Sequence, residues 1–234
     1  SITKPFIMSN EELNRRNFIS KTTLGAVGVI GASSLLSSCS DSKSTSKEIK
    51  LPELLDQAPD GKVIKAGLVG CGGRGTGAAI NFLDAGPNLQ IVALGDVFQD
   101  RIDNCRAELK TQKGVEIADE NCFIGFDSYE KVIDSGVDLV LFCTPPHFRP
   151  AHVAAAINAR KHVFMEKPCA VDPVGARSVL VSSKKAESLG LCMVSGTIRR
   201  VQKDYMETQR RVANGEIGEI TGANIIRNGG ALWW

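Results

Sequence analysis

Short apolar runs recur along the chain at residues 63–69, 90–95, 122–124, 137–143, 162–165 and 191–195. Between them lie segments 76–83, 100–112, 128–134, 151–159 and 173–189, whose apolar positions return with a helical period. The runs are of strand length and rich in β-branched residues, and the run at 137–143 reads as a parallel strand buried on both faces. Strands alternating with helices at this spacing predict an α/β fold built on a doubly wound parallel sheet. A further helix over 201–213, a turn at 215–218 and a strand over 219–227 read as the opening of a second domain that the chain does not complete.

The first run breaks into Gly70-Cys71-Gly72-Gly73-Arg74-Gly75 and then opens a helix. Gly70, Gly72 and Gly75 fit G-x-G-x-x-G, in which the first glycine permits a sharp turn, the second lets backbone approach a pyrophosphate, and the third lets helix pack on strand. Gly73 and Arg74 lie inside the same turn and join the expected cofactor cradle. The second run ends on Asp96, 21 residues beyond Gly75, where an acid reaching the adenosine ribose belongs. A carboxylate there favours NAD over NADP, because it repels a 2′-phosphate; Arg74 and Arg101, close in sequence, blur that preference and keep NADP in view.

The N-terminal residues read differently. Arg15-Arg16 precedes an uncharged stretch over 22–36, too short and too weakly apolar for a permanent membrane span. A twin-arginine signal peptide fits this pattern. Leu36-Ser37-Ser38-Cys39 then resembles the lipobox of bacterial lipoproteins, with Cys39 as the acylated residue, and Met8 reads as the initiator. Residues 40–50 are Ser, Lys, Asp and Thr in the main, and 40–61 reads as a tether and lead-in. The expected location is the periplasmic side, anchored to the membrane through Cys39 alone.

Composition narrows the choice further. With 234 residues, 43% hydrophobic and 23% charged, the chain can bury a core. A net charge of +2 without basic clusters gives no reason to expect a nucleic-acid partner. Of the seven cysteines none forms C-x-x-C, no His stands at metal-ligand spacing, and Cys71, Cys143 and Cys192 sit in or beside apolar runs. They read as buried thiols, which suits a protein that folds in the reducing cytoplasm before export.

Ligands of doubly wound sheets sit outside the carboxyl ends of the strands, where three unusual segments are expected: Cys143-Thr144-Pro145-Pro146-His147, Glu166-Lys167-Pro168, and Gly196-Thr197-Ile198-Arg199-Arg200. A lysine at such an edge can hydrogen-bond a hydroxyl and share its proton. The glycine motif, the Thr-Pro-Pro-His turn and Met165-Glu166-Lys167-Pro168, in this order, resemble the Gfo/Idh/MocA family of oxidoreductases over roughly residues 63–234.

The resemblance implies a Rossmann dinucleotide-binding domain over 62–196. It also implies that 197–234 begins a C-terminal α/β domain with a mostly antiparallel sheet. Family members commonly oxidise or reduce a sugar or cyclitol carbon with NAD or NADP. Carried onto this chain, the glycines hold the pyrophosphate, Asp96 the ribose, and Thr144 and Pro145 the nicotinamide side. Glu166 and Pro168 shape the cofactor pocket, and Lys167 orients or polarises the substrate hydroxyl. His147 is the second catalytic candidate, although many relatives place a further His two positions on, where this chain has Arg149. The family's acid/base His lies beyond residue 234, so the segment reads as an N-terminal part, inactive by itself, of a protein that is a homo-oligomer when full length. An exported enzyme of this kind meets no free NAD pool and must retain its cofactor. The alternatives to a net oxidoreductase are therefore a redox-neutral NAD-dependent glycosidase and a lipid-anchored protein that binds without turnover.

Overall fold

Each predicted strand alternates its side chains between two helical layers, and both layers are apolar where they meet it. A computed structural model describes residues 61–226, 228 and 229. The signal peptide, lipobox and most of the tether expected over 1–61 lie outside the described residues, as do Trp233 and Trp234.

Six strands form one sheet: β1 (Ile64–Val69), β2 (Leu89–Asp96), β3 (Cys122–Ile124), β4 (Leu139–Phe142), β5 (His162–Met165) and β6 (Met193–Ser195). Their order is β3-β2-β1-β4-β5-β6 and every pairing is parallel. This is the doubly wound sheet the apolar pattern predicts. The connecting helices are α1 (Gly73–Asp84), α2 (Gln99–Lys113), α3 (Ser128–Asp134), α4 (Arg149–Asn158) and α5 (Pro173–Ser188), and α6 (Lys203–Ala213) follows the last strand.

Alternate residues of each strand feed two cores. Val69, Val140, Phe142, Val163 and Met165 pack with Val132 of α3, Val153 and Ile157 of α4 and Val179 of α5. Ala66, Leu68 and Leu141 pack with Ala79 of α1 and Ile102 and Leu109 of α2. Phe142, Leu68, Leu94 and Ile157 are among the largest side chains fully shut off from water. Burial on that scale is worth about 1.5–3 kcal/mol for each such side chain.

Register places the loops. Val69 pairs with Gly95 and Phe142, Phe142 with Met165, and Met165 with Ser195, so β1, β2, β4, β5 and β6 end level along one edge. The ladder carries one residue into each turn: Gly70 N–H bonds Gly95 O at 2.8 Å, Cys143 N–H bonds Val69 O at 2.8 Å, Glu166 N–H bonds Phe142 O at 2.9 Å, and Gly196 N–H bonds Met165 O at 2.8 Å. Successive strands are added on one side of β1 up to β3 and on the other side from β4 onward, so the loops leaving β1 and β4 part to opposite faces and leave a crevice between them.

Two expectations are corrected. No strand forms over 219–226: these residues have no strand partner among the described residues, and Ile220, Ile225 and Ile226 stand exposed. A strand needs a partner to bond its backbone, and apolar composition alone does not provide one. Cys192, read as a buried thiol, is exposed one residue before β6, whereas Cys71 and Cys105 are buried and Cys143 half-buried.

Candidate functional site

The glycine turn is built by contact as well as by conformation. Gly70 has φ +95°, and a Cβ there would lie 2.7 Å from the Cys143 carbonyl carbon and the Thr144 nitrogen. At Gly75 a Cβ would fall 1.7 Å from the Gly70 carbonyl oxygen, so α1 can sit this close to β1 only without a side chain. Gly72 and Gly73 differ, because nothing stands within 4 Å of a Cβ built on either. Their surface is open to a ligand's backbone-sized approach. The N-terminus of α1 has no side-chain cap and no acidic residue in its first turn, which leaves its N–H groups and positive dipole end to an anion. A dinucleotide's pyrophosphate fits this cradle.

Asp96 closes the turn from the next strand. Its Oδ2 accepts a hydrogen bond from the Cys71 N–H at 2.6 Å and its Oδ1 accepts one from the Phe98 N–H at 3.1 Å. The carboxylate therefore anchors the glycine turn to the end of β2, and each oxygen keeps a lone pair for a hydroxyl.

A cavity of about 430 Å³ runs from here to the β4 turn, lined by Gly70, Gly72, Arg74, Gly75, Asp96, Thr144 and Pro145 among others. These are seven of the expected site residues in one place. Arg101 lines it too, so both arginines that blur the NAD preference face the same space as Asp96. Sequence reasoning did not single out its aromatic wall. Phe98 and Phe126 stand exposed at the rim, and Phe148 lies 6.1 Å from Phe126 between ring centroids. Nothing but position just beyond a strand marks these residues in one sequence.

His152 was also missed. It is buried at the floor of the cavity, stacked on Tyr129 at 4.1 Å and on Phe148 at 5.9 Å, with Nδ1 3.3 Å from the Thr144 hydroxyl. Burial pushes its pKa down to about 4 from the ordinary 6.5. Above pH 6.5 the ring is neutral both folded and unfolded, and it adds no pH dependence. As pH falls from 6.5 towards 4 the unfolded chain takes up a proton that the folded chain refuses, and stability drops by roughly 3 kcal/mol in all. Denaturant unfolding at pH 7 and pH 4.5 is expected to show this loss, and His152→Phe to shrink it. A variant with the same acid sensitivity would show that other groups cause it.

Glu166 is buried but faces a different cavity, about 740 Å³, between β4, β5 and β6 and residues Ala78, Asn81 and Phe82 of α1. Arg74 reaches both cavities. The Glu166 carboxylate lies against Gly196, where a Cβ would approach it to 3.1 Å, and Oε2 accepts the Lys167 N–H at 3.2 Å. With burial, that carboxylate lifts the Cys143 thiol to about 12, keeping it protonated. Gly73 lines a third cavity with Gly72 and Cys71 at the start of α1.

Lys167, Pro168 and His147 line none of these three cavities. Lys167 is exposed on the turn after β5, its ammonium bonded to no described residue. His147 is exposed and meets Phe148 edge-on at 5.3 Å. Arg149, two positions beyond His147, is buried at 4% exposure, and its Nη1 donates to the Pro168 carbonyl. Arg199 lies over the Tyr205 ring at 5.3 Å, while Arg200 lines the larger cavity.

Comparison with known proteins gives a consistent picture. A family model, GFO_IDH_MocA, described as an oxidoreductase family with an NAD-binding Rossmann fold, matches residues 64–194. A myo-inositol 2-dehydrogenase of Thermotoga maritima is 31% identical over 156 residues, covering 67% of this chain and 42% of the relative. An NAD(+)-dependent scyllo-inositol 2-dehydrogenase of Bacillus subtilis is 27% identical over the same shares. Among solved structures, scyllo-inositol dehydrogenase from Lactobacillus casei with bound NAD(H) and scyllo-inositol superposes with a TM-score of 0.55 at 27% identity, over 68% of this chain and 43% of that one. The chain thus spans about two fifths of the length of the relatives it matches.

Proposed function

We propose, because this chain belongs to the Gfo/Idh/MocA family of oxidoreductases, that it is the nucleotide-binding part of an NAD-dependent dehydrogenase acting on a cyclitol or sugar hydroxyl. The observation that carries this reading is the cradle itself: two glycines that tolerate no Cβ, two with open space above them, and Asp96 at the same edge. Bound NAD supplies the hydride acceptor for oxidising an alcohol carbon. In this reading the open N–H groups of α1 bind the pyrophosphate and Asp96 bonds the ribose hydroxyls. Thr144 and Pro145 wall the nicotinamide side and the aromatic rim shuts out water, while Glu166 stands in the neighbouring cavity that Arg74 also reaches and Pro168 lies outside both. Lys167, bonded to no other described residue, holds the hydroxyl of the substrate and shares its proton. His147, on the adjoining turn, is the second group able to meet that substrate.

The twin-arginine and lipobox patterns support export with the cofactor already bound, attachment through Cys39, and work on the periplasmic side. The second domain beginning at residue 197 and a homo-oligomeric assembly belong to the same reading. It is tested on the intact protein purified without added nucleotide. Denatured protein is expected to release near-stoichiometric NAD, and native protein to form reduced nicotinamide on adding myo- or scyllo-inositol. Release of an aglycone from a glycoside without net absorbance change would replace this reading with the redox-neutral one. Neither activity would leave a binding protein.

Asp96→Ala reports on cofactor choice. Both NAD and NADP lose the anchored turn, but only NAD loses a ribose partner and only NADP is relieved of a repelling charge. The ratio of their dissociation constants is expected to shift towards NADP by roughly tenfold, about 1.4 kcal/mol. An unchanged ratio in titration calorimetry would remove Asp96 as the ribose reader.

A further inference from the structure

Arg149 is costly where it stands. It is a cation at 4% exposure, and it is the first residue of α4, where the helix dipole already presents positive charge. Taking a guanidinium out of water costs several kcal/mol unless an ion pair offsets it. No carboxylate forms such a pair with it among the described residues. Burial weighs on its charged form more than the nearby Glu166 carboxylate favours it. One hydrogen bond is made, from Nη1 to the Pro168 carbonyl, and Nε is buried without a partner. An apolar side chain of similar volume would suit the site's stability as well or better.

What the guanidinium does is join two turns. Arg149 closes the turn that leaves β4 with Thr144 and Pro145, and Pro168 belongs to the turn that leaves β5 with Lys167. We propose that Arg149 is a positioning residue, which grips the Pro168 carbonyl and so fixes where the Lys167 ammonium stands relative to the β4 turn. This rests on the role given to Lys167 above. A lysine is a long, mobile chain, and an exposed one bonded to nothing has its backbone as its main constraint. Misplacing such a group by an ångström can cost far more in rate than in binding.

The test compares Arg149→Met, Arg149→Lys and, as reference, Lys167→Met with the parent in the intact protein. Five quantities are read: melting temperature, NAD affinity, kcat and KM with myo-inositol, and the rate at which limiting acetic anhydride modifies Lys167, followed by peptide mass spectrometry. Arg149→Met is expected to melt at or above the parent temperature and to bind NAD as the parent does. Its kcat should fall by roughly tenfold or more with little change in KM, and acetylation of Lys167 should shift by about threefold against the other lysines. Arg149→Lys, which still offers a donor to the carbonyl, should recover part of both losses. A fall in melting temperature and kcat together, with Lys167 labelled at the parent rate, would make Arg149 merely structural and overturn the proposal. So would parent values throughout. If Arg149→Met does not fold, the labelling rate in Arg149→Lys decides: a shift supports the proposal and a parent rate sinks it. If Lys167→Met keeps its turnover, the catalytic reading of Lys167 fails, while the labelling rates still decide whether Arg149 positions the turn.

Discussion

Gly75→Ala is expected to be the most damaging single methyl group in the chain. The added carbon would arrive 1.7 Å from the Gly70 carbonyl oxygen, a backbone atom of a residue whose own N–H is tied to the Gly95 carbonyl. Neither partner is the free end of a flexible side chain. Relief requires α1 to lift from β1, and α1 carries Ala79 into the core beside Leu68. Overpacking against yielding neighbours costs about 1–3 kcal/mol, and a clash with fixed backbone belongs above that range. A drop in melting temperature of many degrees and complete loss of NAD binding should follow. The companion is Gly72→Ala, whose methyl group meets nothing in the protein. It should fold and melt like the parent yet bind NAD far more weakly, because the methyl occupies the space a pyrophosphate needs. Calorimetric melting and NAD titration of both variants decide the matter. Parent-like melting of Gly75→Ala would refute the packing argument, and parent-like NAD affinity of Gly72→Ala would refute the cradle.

Lys167→Ala in the intact protein is expected to lower turnover by about a hundredfold to ten-thousandfold, the range for losing a group that moves a proton in the transition state. NAD affinity should hardly change, since the side chain lies outside the cavity that gathers the glycines and Asp96. Single-turnover formation of reduced nicotinamide, beside equilibrium NAD binding, separates the two effects. Equal losses in both would mean that the lysine serves cofactor binding or the fold, and the catalytic role would fall. On the proposed reading the two experiments divide the site along its length: the glycine variants act at the phosphate cradle and the lysine variant at the substrate hydroxyl.

Much of this was legible in the sequence because the responsible forces are local or periodic. The boundaries of β3, β5 and α3 coincide with the apolar pattern, and Gly70, Gly72, Gly75 and Asp96 are recoverable from spacing because strand, turn and helix fix their separation. Contacts between distant segments left no such trace. Nothing near His152 in the chain announces that Tyr129 will stack on it or that burial will strip its proton. Arg149 looks like a surface residue of an amphipathic helix, and only the fold brings the Pro168 carbonyl to it. Glu166 and Lys167 are adjacent, yet the ladder bond to Phe142 O holds the first against the sheet while the second lies exposed on the turn, so a shared motif divides between two environments. The apolar stretch over 219–226 failed in the opposite sense, since composition speaks for a strand but pairing needs another segment.

The double anchorage of Asp96 bears on redesign. Switching a dinucleotide site to the phosphorylated cofactor begins, by habit, with replacing the acid at the end of the second strand by a small neutral residue. Here that residue also supplies the acceptors for the Cys71 and Phe98 N–H groups. A one-step exchange would leave two amides to find new partners, one in the glycine turn after β1 and one in the loop after β2, both of which must hold their places for either cofactor. The path to altered preference therefore runs through a paired change: a neutral acceptor of similar reach at position 96, introduced together with use of the cations already present at Arg74 and Arg101.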